Sequence, residues 1–225
     1  MKKKEYLTVP AKITDKSFQL IQAEIDRIDP NYHFTDPLQE AVIKRAIHTT
    51  ADFDYLNNLK FTHHVLQVIQ KVLLNHGVIY TDTTMALSGI NKRRLNALQV
   101  GYHCLINDSR VRQIAQTNKI TRSMAAIEVA ANDPKEKIYI VGNAPTALYK
   151  IIEMVQQKRL QIAAVIGVPV GFVEAAESKQ ALFDSNIPAI VALGRKGGSN
   201  LAAALLNAII YNTDLQELGD EYGRH

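Results

Sequence analysis

The chain has 225 residues, 47% hydrophobic and 21% charged, enough for one full core, and its net charge of +4 is half supplied by three lysines and a glutamate in residues 1–5. One cysteine, 11 glycines and 7 prolines exclude an intramolecular disulfide, a CxxC zinc or redox site, and fibrous or low-complexity character. The longest apolar run, residues 162–173, is broken by Gly167, Pro169 and Gly171, and no apolar segment follows Lys2, Lys3 and Lys4, so a protein of the cytoplasm without membrane span or signal peptide is expected.

Residues 1–12 read as extended or flexible. Beyond them, residues 17–28 place Phe18, Ile21, Ile25 and Ile28 on one stripe, predicting a helix. A second helix opens at Asp36-Pro37-Leu38-Gln39, a cap, a first-turn proline and a capping-box partner, and runs to about His48. A third spans residues 63–75 and closes on Gly77 as a left-handed cap. From residue 78 the pattern changes. Short apolar, β-branched runs at residues 78–80, 100–106, 138–141, 162–166 and 189–193 alternate with helical segments, the last over residues 201–210. Such runs predict a parallel sheet with both faces covered, in one α/β domain of residues 1–225. The glycines ending the last three runs, Gly142, Gly167 and Gly194, are spaced 25 and 27 residues apart, about one βα unit each.

The turns after these runs hold the unusual residues: Thr81-Asp82-Thr83-Thr84, Gly142-Asn143-Ala144-Pro145-Thr146, Gly167-Val168-Pro169-Val170-Gly171 and Gly194-Arg195-Lys196-Gly197-Gly198-Ser199. In an open parallel sheet they share the carboxyl edge, where backbone N–H groups and helix N-termini favour anions. Any one of them is explained as a tight turn; together they predict a site. The last combines two cations, two glycines and a hydroxyl, suited to carboxylate or phosphate, but its lysine precedes the glycine pair and so makes no Walker loop. No GxGxxG motif follows the first strand.

Among seven histidines none forms an HxxxH or HExxH pair, and no metal site is expected. His48 differs in context. Lys44 and Arg45 lie one helical turn behind it, and Asp52 and Asp54 follow just beyond the helix end. That setting suits a general acid–base group, and equally a partner for the helix dipole, so the pattern alone leaves both roles open. Cys104, inside a predicted strand, reads as a buried, inert thiol.

Five segments then occur in a telling order: Ala46-Ile47-His48-Thr49-Thr50-Ala51-Asp52-Phe53-Asp54, Ile120-Thr121-Arg122-Ser123, Gly142-Asn143-Ala144-Pro145-Thr146, Pro169-Val170-Gly171-Phe172-Val173 with Glu177-Ser178-Lys179, and Gly194-Arg195-Lys196-Gly197-Gly198-Ser199. The chain closely resembles the precorrin-8X methylmutase family over residues 17–210. The resemblance implies a three-layer α/β/α sandwich around a five-stranded, mainly parallel sheet with an amino-terminal helical segment. It also implies a homodimer with its site at the subunit interface, and no cofactor or catalytic metal. The implied reaction is an intramolecular methyl shift from C11 to C12 of a corrinoid polycarboxylate in cobalamin biosynthesis. By the same resemblance His48 is the catalytic residue, and Ser17, Arg45, Asn91, Arg122, Asn143, Lys179, Gly197, Gly198 and Ser199 bind substrate.

A unimolecular shift needs no nucleophile. A proton delivered to a ring nitrogen lowers the barrier and positioning supplies the rest. Lys44 and Arg45 lower the imidazole pKa, an effect that bound substrate carboxylates are expected to offset. Two departures from the family pattern stand out: Asn91, where Thr is frequent, and Asn118-Lys119, where Gly is common. Within the family the substrate is either metal-free precorrin-8X or cobalt-precorrin-8, and no residue decides between them. The rival readings are a silent corrinoid carrier and an RNA-binding protein suggested by Lys2 to Lys4 and Lys92-Arg93-Arg94. The second lacks an aromatic-interleaved basic surface, so neither nucleic acid nor membrane is an expected partner. Residues 211–225 lie outside the resemblance.

Overall fold

In the computed structural model, which describes residues 8–213, six strands form one sheet in the order β1-β6-β5-β4-β2-β3. They are β1 (Leu59–Phe61), β2 (Val78–Thr81), β3 (Gly101–His103), β4 (Lys137–Val141), β5 (Ala164–Gly167) and β6 (Ala189–Ala192). All neighbours pair in parallel except β1, which adds antiparallel to β6 with Leu59 opposite Ala192 and Phe61 opposite Ile190. The sheet therefore has six strands rather than the expected five. The additional one is only three residues long, and only its first residue is fully buried, so it carries no period-two signature of its own.

Alternation along the central strands builds two cores. Ile138 and Ile140 of β4, with Ile166 of β5 and Ile190 of β6, meet α1 (Pro10–Ile28), α2 (Pro37–Thr50), α4 (Val65–Leu74) and α11 (Ser199–Tyr211). Tyr139 and Val141, with Val165 and Val191, face α8 (Arg122–Ala130), α9 (Pro145–Gln156) and α10 (Ala175–Phe183). Near-continuous apolar strands thus serve both faces of a three-layer sandwich.

The helix boundaries adjust several expectations. α1 begins at Pro10, a proline at its first position, so residues 10–12 are helical rather than extended. In α2 the Asp36 carboxylate accepts from Gln39 N–H (2.8 Å), while the Gln39 side chain accepts from Thr35 N–H (2.8 Å), and the helix continues past His48 to Thr50. α4 starts at Val65, because His63 and His64 take left-handed conformations. At its far end the left-handed residue is His76, not Gly77. Gly77 is there for space: a Cβ would sit 2.4 Å from Val72 Cγ1 and 2.7 Å from the Glu136 carbonyl. Cys104 follows β3 and is half-buried rather than enclosed in a strand. At the second family departure, Lys119 rather than Asn118 takes the left-handed conformation, closing α7 (Ser109–Asn118).

Among the described residues no helix is long and apolar enough to cross a membrane. The basic run at Lys92 is committed locally: Lys92 Nζ donates to the Leu87 carbonyl (2.7 Å), and Arg94 lies 5.8 Å from the Tyr211 ring. The lysines at 2–4 and the segment 214–225 lie outside the described residues.

Candidate active site

The strand order reverses between β2 and β4, and it is here that the carboxyl edge of an open sheet forms its crevice. Part of that crevice is filled by the protein itself. Asp82, just after β2, is buried, and its carboxylate accepts from the backbone N–H groups of Gly142 (3.0 Å), Asn143 (2.8 Å) and Ala144 (2.8 Å). Burial pushes the Asp82 carboxyl above its ordinary pKa, against the pull of those three donors toward the anion. The glycine turn after β4 thus spends three of its N–H groups on an internal carboxylate, leaving the exposed side chain of Asn143 as its offering to a ligand. Next to it, the Thr83 and Ser199 hydroxyls pair at 2.7 Å, tying β2 to the start of α11.

The loop between β6 and α11 wraps over β5. Gly198 N–H donates to the Val168 carbonyl (2.8 Å) and Gly171 N–H to the Arg195 carbonyl (3.1 Å). Gly197 is required by this contact, since a Cβ would meet the Val168 oxygen at 2.1 Å. Lys179, expected to meet a substrate carboxylate, is fully buried on α10 and donates to the Lys196 carbonyl (2.7 Å). Burial pulls its ammonium pKa down to about 8. In this arrangement Lys179 supports the loop and shows no surface to a ligand. Arg122 stands exposed at the first turn of α8, whose cap Thr121 pairs with Thr146 at the start of α9 (3.0 Å), placing two helix N-termini side by side.

A second group surrounds His48. Its exposed imidazole lies 5.4 Å, centroid to centroid, from the Phe18 ring of α1, and the Arg45 guanidinium stands 5.2 Å over that same ring and 6.0 Å from Tyr211. Desolvation against these neighbours, and then the Arg45 charge, hold the His48 pKa below its ordinary value. Lys44, expected to contribute too, is turned to an ion pair with Glu40. Ser17 sits one residue before Phe18, with its hydroxyl on the Ile13 carbonyl (2.8 Å). Asn91 reaches this group through Tyr211: it caps α6 (Lys92–Ala97), accepting from Arg94 N–H (3.1 Å), and its amide donates to the Tyr211 hydroxyl (3.2 Å).

The carboxylates expected beside His48 face elsewhere. Ala51 ends α2 in a left-handed conformation, and Asp52 and Asp54 then both meet the Lys196 ammonium at 2.6 Å. Partial burial pushes the Asp52 carboxyl up, but Lys196 and the Asp54 N–H outweigh it and leave it below the ordinary range. One group of residues therefore gathers at the carboxyl edge and the start of α11, and the other near the end of α11 and the last turn of α2. Sequence reasoning places Asp82 and Thr83 at the carboxyl edge but misses them as organisers, and it reads the 194–199 loop as suited to an anion without foreseeing that Lys196 is taken by Asp52 and Asp54. A cavity of about 420 Å³ between α7 and α8, lined by Arg110, Gln113, Thr117 and Asn132 among others, belongs to neither group.

An open, mainly parallel sheet with an exposed cation and helix N-termini at its carboxyl edge, and a separate imidazole–guanidinium group on α2, defines an α/β enzyme for an anionic substrate. The comparisons make this particular. The description of the precorrin-8X methylmutase family matches residues 12–212, and the chain belongs to that family. It is 51% identical over 208 residues to the cobalt-precorrin-8 methylmutase of Salmonella typhimurium, covering 92% of this chain and 97% of that protein. It is 33% identical to the cobalt-precorrin-8 methylmutase of Methanocaldococcus jannaschii, covering 88% and 91%. A crystal structure of precorrin-8X methyl mutase from Thermus thermophilus superposes with a TM-score of 0.78 at 34% identity, covering 89% of this chain and 96% of that one.

Proposed function

We propose that the chain moves a methyl group from C11 to C12 of cobalt-precorrin-8, with His48 as the proton donor. As a member of its family it is a methylmutase, an isomerase of cobalamin biosynthesis; in this reading it acts as one domain in the cytoplasm. The observation carrying the role of His48 is its setting: an exposed imidazole held against Phe18 beneath Arg45, at the end of a helix within reach of an anionic ligand. The shift breaks and forms one carbon–carbon bond within a single molecule. Protonating the conjugated macrocycle withdraws electron density from it, so the electron-poor C12 accepts the methyl with its bonding pair as the bond to C11 breaks. The proton then returns to His48, and the site has otherwise only to hold the ring in place. Arg45 and Arg122 take substrate carboxylates, helped by the N-termini of α8, α9 and α11. Ser17 and Asn91 frame the imidazole side. The cobalt form is favoured because the relative that is 51% identical carries that name.

Incubation with cobalt-precorrin-8 and, separately, with precorrin-8X tests this reading through the corrinoid absorption spectrum. Conversion, with conjugation interrupted in the product, is expected for the cobalt form. Tight binding of both without conversion would establish the silent carrier instead.

The active species in this reading is a homodimer. Phe172 and Val173 are 84% and 80% exposed, on the loop where Arg195 covers one face of the Phe172 ring (5.6 Å). Two large apolar side chains so exposed beside a site suit burial by a second copy. Substitution F172E is expected to shift sedimentation toward a monomer and to lower activity in parallel. A dimer that persists with full activity would remove this face from the interface.

A further inference from the structure

We propose that Lys196 is a positioning residue, clasping the glycine loop at 194–198 to the end of the His48 helix and thereby setting where the substrate lies against the imidazole. The proposal rests on the reading of His48 above and adds a residue that does not touch the reacting atoms.

The backbone of the loop is anchored on one side only. Arg195 and Gly198 bond to the segment after β5, and the Lys196 carbonyl is held by the buried Lys179. None of these contacts reaches α2. The Lys196 side chain does, placing its ammonium 2.6 Å from Asp52 and 2.6 Å from Asp54. The Asp52 carboxylate is itself anchored, and the turn that carries both acids is fixed. Asp54 N–H donates to the Asp52 carboxylate (3.0 Å), and the chain enters this turn through left-handed Ala51, whose N–H closes on the Ile47 carbonyl. His48 lies in the turn of helix just before. A short, stiff path thus runs from imidazole to helix end, to carboxylate pair, to Lys196, to Gly197 and Gly198.

The charges rule out the simpler role. One ammonium between two carboxylates leaves a local excess of negative charge, so in this arrangement Lys196 offers a polycarboxylate nothing, and Arg195 is the loop's available cation. Stability is not its purpose either, since a solvent-exposed ion pair contributes little to it. What remains is geometry. The clasp joins the loop of the carboxyl-edge group to the end of the helix that carries His48. A displacement of about 1 Å between binding groups and a catalytic group is enough to cost on the order of a hundredfold in rate.

The test uses full-length K196M, K196R and the pair D52N/D54N in single-turnover reactions with cobalt-precorrin-8, alongside substrate Kd by absorption titration. For K196M the rate is expected to fall about tenfold or more with Kd moved less than about threefold, because misplacement acts on the reacting geometry and not on uniform binding. K196R, which can still span both carboxylates, restores most of the rate. D52N/D54N reproduces the K196M loss, and combining the two adds little, as expected for residues acting as one unit. A weakened Kd with an unchanged rate would make Lys196 a substrate ligand and overturn the proposal, as would an unchanged rate or additive losses. If K196M does not fold by circular dichroism, D54N alone must show the same rate loss in smaller measure. Full activity of H48A would overturn the acid reading by itself, whereas the clasp stands or falls on the K196M and D52N/D54N rates.

Discussion

Replacing His48 by alanine is expected to lower the single-turnover rate of methyl migration by about 10²–10⁴, the range lost with a general acid. Corrinoid binding should survive, since Phe18, Arg45 and the carboxyl-edge groups remain. The accompanying pH profile has a definite sign. Burial and then Arg45 hold the His48 pKa below its ordinary value in the free protein, so less of it is imidazolium near neutrality. The imidazolium is the active form, so the rate falls as pH rises through that pKa. The descending limb of kcat/KM, which reports the free protein, should therefore lie below about pH 6.5. In the complex, substrate carboxylates beside Arg45 favour the imidazolium, and the limb of kcat should lie at higher pH. Removing the like charge with R45Q should raise the kcat/KM limb. H48A reacting within tenfold of wild type would sink the assignment, and coincident limbs would sink its electrostatic part.

How far the sequence carries one toward this site depends on whether a residue's partner is local. The parallel strands are legible because runs such as Ile138-Tyr139-Ile140-Val141 are apolar on both faces, and the α2 start because Asp36, Pro37 and Gln39 act on one another within one turn. β1 is not, because three residues at a sheet edge borrow their conformation from β6. His48 stands out by its neighbours in sequence, yet Asp52 and Asp54 proved to serve Lys196 across 142–144 residues, which nothing in local spacing announces. Lys179 and Lys196 illustrate the same limit. Their charge suggests an anionic ligand, but a buried ammonium is satisfied by whatever oxygen the fold brings to it, here the carbonyl of Lys196. The Gly142 turn was rightly an anion site by its geometry, and its anion turned out to be Asp82, sixty residues earlier and adjacent only once β2 and β4 pair in register.

Asp82 is accordingly where the second large effect is expected, this time on stability. Asp82→Ala leaves the N–H groups of Gly142, Asn143 and Ala144 without their acceptor in a site that is buried at Gly142 and Ala144. At roughly 1–3 kcal/mol for each of the two buried donors, the loss should be about 2 kcal/mol or more, lowering Tm by at least about 4 °C in a chain of this size. Water entering the vacated space would soften that figure, and D82N separates the two contributions because it fills the same volume. Its amide keeps one acceptor oxygen but turns an NH₂ toward backbone N–H groups whichever way it is flipped. D82N should therefore destabilise as well, although it carries no charge to bury and burial disfavours the native anion. If D82N melts at or above the wild-type temperature, desolvation of the carboxylate outweighs its three hydrogen bonds and Asp82 is not the clamp on this edge. If both variants are destabilised, the β2–β4 crevice depends on a carboxylate supplied from within, and the substrate's own carboxylates must be met by the exposed cations and helix ends around it.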